Sequence, residues 1–106
     1  MKARYALVLV VALVGAGTAF ARAMDDVSLS YGYERCGFLG NPIYVENNGD
    51  QPVMVTIRID WTEGIDSGTR FEKYRVDPGA AEFVGCSRPN MGVNLSYSIS
   101  GAWYVN

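Results

Sequence analysis

The sequence predicts an all-β protein, a small antiparallel β-sandwich of six or seven strands behind an N-terminal signal peptide. Three observations carry that expectation. Apolar and polar residues alternate at period two, most clearly where Val53, Val55, Ile57, Ile59 and Trp61 oppose Met54, Thr56, Arg58 and Asp60, the pattern of a half-buried strand. Turn-forming residues recur at short spacing between such runs. No stretch of eleven or more residues beyond position 21 has the i, i+3, i+4, i+7 periodicity of an amphipathic helix.

The chain opens with Lys2 and Arg4, followed by seventeen uncharged residues, 5–21, richest in apolar side chains over 6–14. A basic start, a short apolar run and small residues at Ala19-Phe20-Ala21 have the layout of a secretory signal peptide. The overlapping triplet Ala21-Arg22-Ala23 offers a second cut after residue 23. With two glycines inside it, the run falls short of the roughly 20 apolar residues that span a bilayer. We therefore expect residues 1–21 to be removed and residues 22–106 to form one domain, periplasmic or secreted, with no stable insertion in a membrane.

Val27, Leu29, Tyr31 and Tyr33 alternate with Ser28, Ser30, Gly32 and Glu34 and predict the first strand. A break around Gly40-Asn41-Pro42 precedes a short run, 43–46, and then Asn47-Asn48-Gly49-Asp50. An Asn-Gly pair is a hairpin signal, because both residues tolerate positive φ, so a hairpin is expected between this run and the strand from Val53. Residues 62–69, with two glycines, are expected to form a loop. The charged and aromatic run 71–76 reads as an edge strand, and Asp77-Pro78-Gly79 places Pro and Gly where a type II turn wants them. Residues 81–86 give a further strand with Phe83 in the core. Val93, Leu95, Tyr97 and Ile99 alternate with Asn94, Ser96, Ser98 and Ser100, and an apolar stretch, 102–105, follows Gly101. The rhythm of 47–86 resembles that of immunoglobulin-like sandwiches, and Trp61 lies between the two cysteines as a Trp does in an immunoglobulin domain.

Exactly two cysteines, Cys36 and Cys86, are present. An even count in a small exported domain predicts a disulfide. Closing a loop of about 50 residues is worth on the order of 4 kcal/mol in the chain-entropy picture, comparable with the whole stability of a domain this small.

Composition also excludes chemistry. The chain has no histidine, which removes His-dependent triads, His general bases and His metal ligands. With both cysteines oxidised, a thiolate nucleophile or ligand goes too. Residues 22–106 keep seven basic and eleven acidic residues, a net charge of −4, and the basic ones are dispersed, which argues against nucleic acid as a partner. Carboxylate chemistry is left, with Asp60, Glu63 and Asp66 as candidates for a small hydrolase or an oxygen-ligated calcium site. The spacing matches no EF-hand calcium loop, and a sandwich this small has little room for a substrate cleft, so no metal and no cofactor are expected.

The leading expectation is a non-enzymatic protein that binds another protein, as an inhibitor, an immunity-type partner or an envelope subunit. Its contacts are expected on the 62–69 segment and the charged strand after it, at Glu63, Asp66, Arg70, Glu72 and Tyr74. The alternative is a carbohydrate-binding module that stacks sugars on exposed Tyr44, Trp103 or Tyr104.

Overall fold

The computed structural model describes residues 22–105, so the expected signal peptide at 1–21 lies outside the described residues. After one helical turn at 22–26 the chain forms six strands: β1 (Val27–Tyr31), β2 (Pro42–Asn47), β3 (Val53–Glu63), β4 (Asp66–Val76), β5 (Ala81–Cys86) and β6 (Val93–Tyr104). They make two three-stranded antiparallel sheets, ordered β1-β2-β5 and β4-β3-β6. The sheets stack with β1 against β6 and β5 against β4. The all-β expectation holds, with six strands.

β3 is the central strand of the longer sheet, and its alternation builds the core. Val53, Val55, Ile57 and Ile59 are fully buried and face Ile43, Val45, Val27 and Val84 of the other sheet in one cluster. Each such β-branched side chain contributes on the order of 2 kcal/mol on leaving water. They also suit the pleated backbone.

Four details differ from the sequence reading. The expected hairpin at 47–50 is a crossing between sheets: β2 pairs with β1 and β5, whereas β3 pairs with β4 and β6. The reason is Asn47, a fully buried side chain. Its amide donates to the carbonyls of Gln51 (2.7 Å) and Val76 (3.0 Å), and its Oδ1 accepts from Gly49 N–H (2.9 Å). Its backbone is bound as well, to the Ala80 carbonyl (3.0 Å) and from Gly79 N–H (2.8 Å). One side chain thus pins the crossover and the 77–80 turn together, and no positive φ occurs at Asn47, Asn48 or Gly49.

The expected 62–69 loop is mostly strand. β3 and β4 stay paired through Glu63↔Asp66, leaving a two-residue turn, Gly64-Ile65, in which Gly64 supplies φ 62° as a tight hairpin requires. Phe83, expected in the core, is 53% exposed. A register shift in the β2–β5 pairing puts it opposite Tyr44 on the outer face, in edge-to-face contact with that ring, and turns Val84 inward. Gly101 does not end a strand: a bulge lets β6 run on to Tyr104, so the stretch 102–105 is not a separate element.

Two expectations are met closely. At Asp77-Pro78-Gly79 the Ala80 N–H donates to the Asp77 carbonyl (3.0 Å) with Gly79 at φ 73°. Cys36 and Cys86 are disulfide-bonded.

Candidate functional site

The strands of the two sheets differ in length. β3, β4 and β6 have eleven or twelve residues, whereas β1, β2 and β5 have five or six. At one pole the inner face of the longer sheet therefore runs past the end of the shorter one. Trp61, Leu95 and Val93 continue the buried side of β3 and β6 there, and all three are only half-buried.

Two loops arch over this overhang. Residues 32–41 join β1 to β2, residues 87–92 join β5 to β6, and the Cys36–Cys86 bridge fastens one to the other. Phe38 N–H donates to the Arg88 carbonyl (2.8 Å), and Leu95 N–H donates to the Ser87 carbonyl (2.8 Å). Gly37, at φ 70°, fits because a Cβ there would lie 2.4 Å from the Arg88 carbonyl and 2.7 Å from Pro89 Cα. The outcome is a groove of about 290 Å³ lined by Trp61, Glu63, Arg70, Pro89, Val93 and Leu95.

Trp61 can lie where it does because its partner across the β3–β4 ladder is Gly68. A Cβ at Gly68 would approach the indole to 2.6 Å. The ring therefore rests on bare backbone and floors the groove. Around the groove the same pole displays Phe38, Leu39 (64% exposed), Met91 (75%) and a fully exposed Ile65. Leu39 also holds φ 57°, a left-handed conformation that costs a non-glycine residue on the order of 1–2 kcal/mol and keeps that side chain pointing outward on a pinned loop.

Of the five expected partner-contact residues, Arg70, Glu72 and Tyr74 stand opposite Ile59, Ile57 and Val55, on the core side of β4, and Glu63 and Asp66 face each other at the hairpin end. All five share one side of the sheet. Glu63 and Arg70 rim the groove. Arg70 pairs with Glu72 at 3.4 Å, and the Tyr74 hydroxyl donates to Glu72. Partial burial, aided by the Glu72 carboxylate, pushes the Tyr74 phenol up to about 12. Sequence reasoning missed Trp61, Pro89, Val93 and Leu95 as groove residues.

The other expected groups are not brought together. Asp60 lies on the outer face of β3, away from Glu63 and Asp66. The Thr69 hydroxyl (2.6 Å), together with the Arg58 guanidinium (3.2 Å), holds its carboxyl below the usual carboxylate range. A fixed anion beside a cation is the opposite of the protonated acid a two-carboxylate hydrolase needs. Among the described residues no cluster of three or more carboxylates or cysteines is placed to hold a metal. Tyr44 lies on the outer face of the short sheet, bound through its hydroxyl to Glu34 (3.1 Å). Trp103, 37% exposed, lies on the outer face of the long sheet, under the Lys73 ammonium. Tyr104 stands opposite buried Val53 and donates to Asp26 (2.7 Å). The three rings thus sit on three different surfaces.

Fold and site define a class: a disulfide-stapled two-sheet β-sandwich with one open, apolar pole. No family model matches the chain, and searches of curated proteins and of solved structures find no match either.

Proposed function

We propose that this is an exported, non-enzymatic binding protein whose disulfide pole docks another protein. The observation that carries the reading is the Trp-floored groove rimmed by Glu63 and Arg70, with exposed Phe38, Leu39, Ile65 and Met91 on the loops and hairpin of the same pole. Apolar side chains gathered in one patch with a charged rim mark interaction surfaces. A partly exposed Trp beside an Arg has the chemistry of an interface hot spot. The disulfide supports export to an oxidising compartment, and among the described residues no helix is long and apolar enough to cross a membrane.

Strand order supports an immunoglobulin-like arrangement. The orders β1-β2-β5 and β4-β3-β6 correspond to strands A-B-E and C′-C-F of such sandwiches, and Trp61 falls on the third strand, where those domains keep theirs. The bridge departs from that pattern. It joins the loop before β2 to the end of β5, within one sheet's end, instead of crossing between the sheets.

The test is quantitative capture from an envelope extract of the natural host on the immobilised, disulfide-intact protein. Leu39→Asp and Met91→Asp each abolish capture of the partner that the unaltered protein retains, while Thr56→Asp on the outer face does not. Equal capture by all three variants overturns the reading. With Tyr44, Trp103 and Tyr104 on separate surfaces, a glycan reading would have to move to Trp61, between Glu63 and Arg70 in the groove, and predicts binding to a glycan array that is lost in Trp61→Ala.

A further inference from the structure

The two long sides of the sandwich differ in charge. On one side lie the edge strands β4 and β5, which carry Asp66, Arg70, Glu72, Lys73, Arg75 and Glu82. The opposite side is made by β1 and β6, which stack on each other and contain no charged residue and no proline in Val27–Tyr31 or Val93–Tyr104. Edge strands are ordinarily guarded by charges or proline, because their free N–H and C=O groups pair with any strand that approaches. β4 is guarded in this way. β6 is not.

The open stretch of β6 can be located. Leu95 N–H is taken by the Ser87 carbonyl, on the side away from β3. Backbone groups alternate in direction along an antiparallel strand, so Tyr97 and Ile99 also aim theirs away from β3. Among the described residues these have no backbone partner. Beyond them Ala102 is fully buried, so the open window is 96–100, Ser-Tyr-Ser-Ile-Ser.

We infer that two copies of this chain pair edge to edge through β6, antiparallel about a two-fold axis at Ser98. The window is self-complementary in that register. Tyr97 meets the second copy's Ile99 as a hydrogen-bonded pair, and the symmetry repeats it, giving four backbone hydrogen bonds that use the free groups. On the inner side this sets an aromatic ring against a β-branched side chain. On the outer side Ser96 faces Ser100 and Ser98 faces its own copy; both kinds of cross-strand pair are favourable. An isologous contact brings every residue near the axis close to itself, which an uncharged strand tolerates and β4 would not. The nearest charged groups on that face are Arg58, opposite Ser98, and Asp60, opposite Ser96, already paired at 3.2 Å. Three strand spacings of about 4.8 Å separate the Arg58 backbones of the two copies, beyond a Debye length of about 8 Å. The joined sheet runs β4-β3-β6-β6-β3-β4 and leaves the disulfide pole of each copy free.

Sedimentation equilibrium of the disulfide-intact protein over a concentration series tests this, together with three variants. The unaltered protein is a reversible dimer. Ser98→Lys, whose exposed position leaves the monomer fold intact, sets two ammonium groups side by side and raises the dimer dissociation constant by about tenfold or more, whereas Ser67→Lys on the β4 edge leaves it unchanged. On mild oxidation Ser98→Cys yields a covalent dimer and Ser96→Cys does not, because equivalent Ser96 residues lie too far apart to bridge. A monomer at every concentration, a dimer indifferent to Ser98→Lys, or equal cross-linking of the two cysteine variants overturns the inference.

Discussion

The two poles of this sandwich solve the same problem in opposite ways. Both must end strands and turn the chain. At the Asn47 pole one buried amide satisfies the carbonyls of Gln51 and Val76 and the N–H of Gly49, and the turns around it are polar residues, Asn48-Gly49-Asp50 and Asp77-Pro78-Gly79. At the disulfide pole the loops are held by a covalent bond, Cys36–Cys86, and by backbone hydrogen bonds to Arg88 and Ser87. Besides the cysteines, the Ser87 hydroxyl accepts from Asn41 N–H (3.0 Å) and the Arg88 guanidinium donates to Asn94 (2.9 Å), but Phe38, Leu39 and Met91 are exposed. A pole fastened at a few points along its loops can display apolar side chains between them, whereas the Asn47 pole is fastened at one buried residue among polar turns.

Each difference between the poles can be broken in turn. The largest effect is expected from replacing both cysteines with alanine, which costs about 4 kcal/mol for a bridge with a sequence separation of 50 and should be read as a lower denaturation midpoint in urea. The fraction that stays folded should also lose partner capture, because the groove wall at Pro89 is no longer tied down. Next comes Asn47→Ala, which leaves the buried Val76 carbonyl and the part-buried Gln51 carbonyl and Gly49 N–H unpaired for about 2–3 kcal/mol. Asn47→Asp costs more, since a carboxylate cannot donate to the Gln51 and Val76 carbonyls. Urea unfolding checks both variants, and capture by the folded protein should survive in each.

Trp61→Ala touches both properties. The ring is mostly buried, so its loss should lower stability by about 2 kcal/mol in urea, while the affinity of the protein that stays folded falls about thirtyfold, the scale of an interface hot spot, by surface plasmon resonance. Unchanged affinity of the folded variant would erase the distinction between the poles. The smallest effect concerns Tyr74, on the row of side chains running up from the groove. Its folded phenol sits at about 12 against an ordinary 10.0, so its contribution is complete below pH 10 and is lost as pH rises from 10 to about 12, where the unfolded chain ionises first. Tyr74→Phe should flatten that part of the stability profile, with the neutral range lowered uniformly by the lost hydrogen bond to Glu72 and its slope unchanged.

The sequence made the strands legible where one residue type decides the local structure. Period-two alternation marked β3 and most of β6, Pro78-Gly79 marked its turn, and the cysteine count marked the bridge. It misled where pairing depends on distant residues. Asn47-Asn48-Gly49 has a hairpin's residues but serves a crossing between sheets, because its first Asn is buried against Val76, 29 positions away. Phe83 was assigned to the core because the run 81–86 lacks alternation to set its face, and the β2–β5 register shift sets it instead. The groove was hidden for a related reason. Alternation places Trp61 on the core side, which is correct, but nothing local says that the other sheet stops short of it. Gly68 was the available signal: a glycine inside a strand marks a close approach, and here it is the approach of the Trp61 ring. Charge singles out Glu63 on the segment expected to be a loop and Arg70 beside the charged strand, and they lie at the groove rim because the end of β3 carries Glu63 there and β4 carries Arg70.

The disulfide pole is the contact surface proposed for this protein. Photo-cross-linking in the natural host tests it most directly, with a photoreactive residue placed at Ile65 or Met91 on that pole, or at Pro78 on the opposite one, all three exposed. The account predicts a discrete adduct with another protein from positions 65 and 91 and none from 78. Adducts from 78 alone, or the same adducts from all three positions, would contradict it.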